Sequence, residues 1–591
     1  MSLPNITEAS IRSNSTAQSF ERGQTYYKQG CVSTLTLRGN TLLAEVEGSE
    51  VNSYCVALRF DQGGFSSVQC SCPYDFEGWC KHIIATMLVC LHEPDRIEER
   101  PTLEQLLDRL DHLQTQRLVQ SLVEEHPELI EAVDRHVSLM TSPKPKKQPV
   151  KPPRRTTVDP APVRRQVRQI LRDAVRYMEE GYEDDPITEE IISLIQHAQQ
   201  LTAQDESHNA LVILEAITTG CIENWDDVEE YGAECVDIVE ALNDAWAEAI
   251  LCADLTEEER VDLRVNLEVW QDEWNTDFAM CLVALHQGWD YPPLQRVLAG
   301  NVTEGGAWEG IIPHFGDDLA KIRLQILERQ ERYQEYLYLA EAEGQTKHYL
   351  TMLGRLGRVE EATGAAKTQM SSAEEAFALA QTLREQGALQ PALEVAQTGL
   401  SLSGRCRYEL ADWTSNLAEG LGDRQAALNA RAIAFQANPS FVDYRLVEEL
   451  AGEAWTTLKV DLLESLKNNS SWRISNTKVD IFLHEGLIDD AIATVNDLDS
   501  YHSALIHRVM KVAIAHNPDW VIENAIPRAD SILDRGKAEY YQEAVEWLKQ
   551  ARAAYLELGR QQDWLAYRNN LIQIHGKKRK FMGLMKEKGL D

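Results

Sequence analysis

The spacing of apolar and polar positions changes character twice along the chain. Between residues 32 and 70, four short runs are β-branched or alternate every second residue: VSTLTLR (Val32–Arg38), TLLAEVE (Thr41–Glu47), YCVALRF (Tyr54–Phe60) and FSSVQC (Phe65–Cys70). The segments GN, GSEVNS and DQGG separate them. Period-2 runs broken by Gly, Asn and Asp predict a meander of β-hairpins. Upstream, STAQSFERGQTYYKQG predicts a helix with Ser15 or Thr16 as N-cap and Gly30 as its stop. Downstream, His82–His92 predicts an amphipathic helix, and residues 102–140 show the i, i+3, i+4 spacing of short helices. Residues 141–166 then break every period. Seven prolines fall between Pro143 and Pro162 with basic residues among them. Proline removes a backbone donor and fixes φ, so this stretch is expected to be an extended, solvated linker.

From about Val163 helical periodicity returns and persists to the end. One local pattern recurs there: a glycine, then a small residue five positions on. It appears at Gly357 and Ala362, Gly387 and Ala392, Gly422 and Ala427, and Gly486 and Ala491. Glycine permits the left-handed turn between two helices, and the small residue lets the second helix pack closely on the first. A period of roughly 30–35 residues marks stacked helical hairpins. The unit that begins at Gly422 also carries Pro439, where a proline would end its second helix. The region is similar to a tetratricopeptide repeat (TPR) array, closely in that unit and loosely in the others. An irregular helical bundle is the alternative. Residues 171–340 read as helical but cannot be phased.

Charge adds a constraint. The 591 residues carry a formal net charge of −36. The exception is the stretch 141–170, which holds nine basic residues and one acidic. An acidic body repels phosphate backbones, so any nucleic-acid contact has to use a local patch. The linker has no interleaved aromatics for stacking on bases, and a charged spacer is its simpler reading. The basic C-terminal stretch HGKKRKFMGLMKEKG reads as the polar cap of a helical array. The N-terminus shows no secretory pattern, and the longest apolar run, Ile83–Leu91, is less than half of a membrane span. The expected location is the cytoplasm, away from membranes, where thiols stay reduced and clustered cysteines point to metal or redox chemistry.

Such a cluster exists in QCSCPYDFEGWCKH, Gln69–His82. Cys70, Cys72, Cys80 and His82 follow the spacing C-x-C-x7-C-x-H. Three thiolates and one imidazole form a closed tetrahedral donor set for one structural Zn²⁺. Cys70 and Cys72 lie at a strand end, and Pro73 stops the strand. Cys80 and His82 converge only if Cys80 precedes the helix and His82 sits in its first turn, because positions two apart diverge on a helix. Lys81 and the helix N-terminus are expected to offset the negative charge of the loaded site. Redox use of C-x-C, or four unrelated core residues, are the alternatives. The other eight cysteines, Cys31, Cys55, Cys90, Cys221, Cys235, Cys252, Cys281 and Cys406, read as buried and inert. Trp79, beside Cys80, reads as a shield for the site or a contact surface.

This spacing, with hairpins before it and a helix after it, resembles the SWIM zinc finger. FERGQTYYKQGCV (Phe20–Val32) and CKHIIATML (Cys80–Leu88) resemble the bacterial type. The resemblance implies that Cys70, Cys72, Cys80 and His82 are the zinc ligands and that the finger contacts DNA or protein. The expected architecture is mostly α. A small α+β SWIM finger domain spans 1–95 with its finger core at 54–92, a short helical extension covers 96–140, the basic Pro-rich linker covers 141–166, and an acidic TPR-like α-solenoid covers 167–591. No nucleotide-binding, metalloprotease or nucleophile-elbow motif is present, so no enzyme is expected. The expected function is a zinc-binding, non-enzymatic adaptor whose helical repeats take a basic segment of a protein partner. The alternative is a DNA-associated protein that uses the finger and the basic linker.

Overall fold

In a computed structural model, the chain is mostly α-helical with one small β-sheet near its N-terminus. The structure describes residues 6–48, 53–74, 78–110, 112–126, 158–179, 187–302, 305–496, 498 and 502–590. The stretches 127–140 and 141–157, expected as helical extension and linker, lie outside the described residues.

The chain divides into two compact units, residues 1–106 with 396–591, and residues 107–395. In the first, α1 (Glu8–Ser13) begins with a capping box on Thr7. Helix α2 (Ala17–Lys28) is N-capped by Thr16, whose hydroxyl accepts from the Ser19 amide, and Gly30 follows it at φ +71°. Strands β1 (Val32–Arg38), β2 (Thr41–Val46), β3 (Tyr54–Asp61) and β4 (Gly64–Cys70) form the expected antiparallel meander. A fifth strand, β5 (Glu98–Glu99), pairs parallel with β1, giving the order β4-β3-β2-β1-β5. Between β4 and β5, α3 (Lys81–His92) supplies a nearly continuous apolar surface from Ile83 to Cys90. That surface, Phe20 of α2, and the inward residues Leu35, Leu42, Val56 and Leu58 make one core.

The alternation along β3 runs strictly inside and outside, and it turns Cys55 outward. Cys55 is exposed, contrary to the expectation of a buried thiol, because its neighbours Tyr54 and Val56 take the inward positions. Cys90, Cys221 and Cys281 are buried as expected, while Cys31, Cys235, Cys252 and Cys406 are half-buried.

The helical hairpins share one turn. At Gly357, Gly387, Gly422 and Gly486, φ lies between +70° and +81°. The amide one residue after each glycine bonds back to the carbonyl five residues earlier: Arg358 to Leu353 at 3.0 Å, Ala388 to Leu383 at 2.9 Å, Asp423 to Ala418 at 2.8 Å and Leu487 to Phe482 at 2.8 Å. This is the Schellman closure, which satisfies carbonyls that the helix end leaves orphaned. Ala362, Ala392, Ala427 and Ala491, five positions on, are fully buried where the second helix meets the first. The same closure recurs at Glu331, Gly344 and Gly559, which the glycine-plus-small pattern did not mark. A helix spanning Ala161–Glu179 begins inside the stretch expected to be linker. Asp159 caps it by accepting from the Ala161 amide, and Pro162 falls in the first turn, where a missing N–H costs nothing. Among the described residues, no helix is long and apolar enough to cross a membrane.

Candidate metal centre

Strand β4 ends on Cys70, paired opposite Val56, and Cys72 follows two residues later. Pro73 removes the donor that could continue the ladder. At the other side, Cys80 is the extended residue that precedes α3, at φ −72° and ψ 163°, and His82 is the second residue of the helix. Gly78 brings the chain back at φ +81°. A Cβ there would lie 2.9 Å from the Asn14 carbonyl oxygen, so the approach requires glycine. The Trp79 amide then donates to the same carbonyl at 2.6 Å, which ties the returning strand to the end of α1.

These elements bring all four predicted residues together. The three sulfurs and one imidazole nitrogen lie within 4.8 Å of one another. Cys70 Sγ is 3.7 Å from His82 Nδ1, and Cys80 Sγ is 4.0 Å from it. Zinc bonds of about 2.3 Å to sulfur and about 2.0–2.1 Å to nitrogen, held at tetrahedral angles, give edges of about 3.8 Å (S to S) and about 3.6 Å (S to N). The donor set therefore fits Zn²⁺. Among the described residues it is the one cluster of three or more His, Cys, Asp or Glu close enough to hold a metal ion. Cys90 and His92 are not part of it.

Backbone amides prepare the sulfurs for charge. The Cys72 amide donates to the Cys70 sulfur, the Tyr74 amide to Cys72, and the Ile83 amide of the first turn of α3 to Cys80. Such donors stabilise thiolate over thiol. Without metal the three thiols also compete with one another. Cys80 is pulled down to about 4, chiefly by the hydrogen bond from Cys70. Cys70 is raised, first by that same bond and then by burial, and burial raises Cys72.

The imidazole is held by rings that motif spacing does not reveal. Tyr54, at the start of β3, stacks on His82 with centroids 4.4 Å apart, and Tyr26 of α2 meets it edge-on at 5.5 Å. Nδ1 faces the sulfurs. Its distances of 3.7 and 4.0 Å to two of the sulfurs make it the ligating atom, and Nε2 is buried with no hydrogen-bond partner among the described residues. Lys81 is turned to Tyr26, with Nζ 2.8 Å from the phenol oxygen and 4.5 Å from the ring centroid. It still lines, with Arg22, Tyr54 and Tyr74, a cleft of about 220 Å³ that reaches Cys72, Cys80 and His82. Trp79 is half-buried against the finger core.

Part of the chain is similar to known proteins. A stretch of 122 residues, 20% of this chain, is 32% identical to the zinc finger SWIM domain-containing protein 8 homolog of Drosophila melanogaster and covers 6% of that protein. Zinc finger SWIM domain-containing protein 8 of Bos taurus and of Mus musculus are each 29% identical over 125 residues, again 20% of this chain, covering 9% and 7% of their lengths. These relatives are named as SWIM zinc finger proteins. The likeness supports the resemblance drawn from the Cys and His spacing, and with the donor geometry it supports a zinc-binding domain. The chain spans less than a tenth of the length of these relatives. They are animal proteins, so the bacterial-type likeness rests on this chain's own residues. No family model matches the chain.

Proposed function

We propose that the chain is a SWIM-type zinc protein in which one Zn²⁺ is held by the sulfurs of Cys70, Cys72 and Cys80 and by Nδ1 of His82. The convergence of these four donors within 4.8 Å of one another, with two sulfurs 3.7 and 4.0 Å from Nδ1, carries the proposal. With all four positions filled by protein, such an ion has no open position for water. Its role is then structural: it ties the end of β4 to the start of α3 and holds the finger's fold, and catalysis is not part of the function. The helical hairpins, taken as a TPR-like array, form the larger surface of a cytoplasmic adaptor. Net charge of −36 makes a Lys/Arg-rich segment the complementary partner.

The test is metal content and binding measured side by side. Protein purified without chelators should carry one zinc per chain. Cys72→Ser should lose more affinity than the about 10–100-fold typical of changes beyond the ligand shell. A basic peptide should bind both proteins equally, in a salt-dependent manner, if the array is the partner surface. Duplex DNA bound below about micromolar at low salt by the wild type, and lost in Cys72→Ser, would instead support the DNA-associated reading. Wild-type protein free of zinc would refute the proposal.

A further inference from the structure

The helix Pro518–Arg535 and the helix Tyr541–Glu557 form an antiparallel pair with a cavity of about 500 Å³ between their facing residues. One wall carries Arg528, Ile532 and Arg535, a single helical face at spacings of four and three. The opposite wall carries Tyr540, Glu543 and Trp547 at spacings of three and four, and Lys537 sits in the short connection. Pro527, inside the first helix, interrupts its hydrogen-bond ladder beside the cavity. A volume of this size matches sites for small organic ligands.

The lining has three properties that converge on one ligand chemistry. It is cationic, with Arg528, Arg535 and Lys537 against the single carboxylate of Glu543, in a chain whose net charge is −36. Arg528 is engaged, donating to the Leu498 carbonyl at 3.2 Å. The side chains of Arg535 and Lys537 have no hydrogen-bond or ion-pair partner among the described residues. The cavity is also aromatic. Trp547 is 1% exposed and fixed by His507, which stacks on it with centroids 3.6 Å apart, while Tyr540 is an exposed ring at the mouth. Finally, Oε1 of Glu543 is buried without a hydrogen-bond donor among the described residues, an acceptor that asks for an N–H or O–H.

We infer that this cavity binds a small phosphorylated ring compound of the nucleoside monophosphate class. Arg535 and Lys537 hold the phosphate as charge-assisted donors, Tyr540 and Ile532 contact the ring, and Glu543 Oε1 accepts from a ring amino group or a sugar hydroxyl. No part of this depends on the zinc site. The protein as purified, titrated calorimetrically at low salt with AMP, GMP, CMP and UMP, with adenosine, and with inorganic phosphate, provides the test. At least one nucleotide should bind more tightly than about 1 mM, and adenosine and inorganic phosphate should each bind about tenfold more weakly than it. Arg535→Gln with Lys537→Gln, both at exposed positions, should weaken it by about tenfold or more with the circular dichroism unchanged. Glu543→Gln, which turns a pure acceptor into a donor and acceptor, should change the order of preference among the four bases. No nucleotide binding at 1 mM, phosphate binding as tightly as any nucleotide, or an unchanged affinity in the double variant would overturn the inference.

Discussion

Gly23 offers a sharp test of how the metal site is positioned. It is buried in α2 where that helix crosses α3. A Cβ added there would lie 2.4 Å from Ile84 Cγ2, 2.6 Å from Ile84 Cβ and 3.2 Å from the Lys81 carbonyl oxygen. Ordinary carbon contacts are about 3.5–4.0 Å, so the helices would have to part by about 1 Å. Rotating Ile84 does not relieve a clash with its own Cβ, and Ile84 is fully buried. Overpacking of this kind costs about 1–3 kcal/mol, and alanine's better helix propensity returns up to about 1 kcal/mol. The clash reaches the Cβ of a fully buried residue, so the upper part of that range, about 2–3 kcal/mol, applies, and Gly23→Ala should destabilise the finger by about 1–2 kcal/mol net. Because Cys80 and His82 ride on the start of α3, it should also speed zinc loss to a chelator. Gly364→Ala is the matched control: Gly364 is helical with open space around its Cβ position, so the same change should be neutral or stabilising. Thermal unfolding and chelator competition on both variants read the difference. Gly23→Ala as stable and as tight for zinc as the wild type would refute the close packing of α2 on α3.

Further outcomes follow from the same contacts. Zinc takes the three sulfurs as thiolates, and Cys70 and Cys72 are held above the ordinary thiol range. Zinc binding should therefore release protons, and affinity should rise with pH across the neutral range; calorimetry in buffers of different ionisation enthalpy detects them, and no proton release would contradict this. Tyr54→Leu removes the ring stacked on His82 and should cost about 0.5–1.5 kcal/mol beyond its lost burial, read as a lower Tm together with faster zinc loss. In the helical region, Arg431 is buried, donates to Asp443 at 3.2 Å and to Asn416 at 2.8 Å, and also contacts Asp412. Arg431→Met leaves Asp443 buried without its cation and should destabilise by about 3–5 kcal/mol, measured by denaturant unfolding.

Much of this was legible in the sequence where one residue type answers one geometric need. Thr16 caps α2, the Cys and His spacing locates the donors, and glycine at the hairpin turns fills a left-handed position that Schellman closure demands. The pattern failed where the same geometry uses other residues. Glu331 takes φ +57° without being glycine, and the position five residues after Glu331 and Gly559 is buried as Tyr336 and Trp564 rather than alanine. Strand β5, two residues long, is too short for any period to mark. The stack of Tyr54 on His82 depends on β3 running beside β4 with Val56 opposite Cys70, a register that local sequence does not encode. The outward turn of Cys55 follows from that alternation and was open to reading, but thiol chemistry suggested burial instead.

The most direct measurement of the central claim is zinc K-edge X-ray absorption on the full-length protein purified without chelators. One zinc per chain with three sulfur neighbours at about 2.3 Å and one nitrogen at about 2.0 Å is the expected result. Absence of zinc, or a shell dominated by oxygen, would contradict the assignment of Cys70, Cys72, Cys80 and His82 as its ligands.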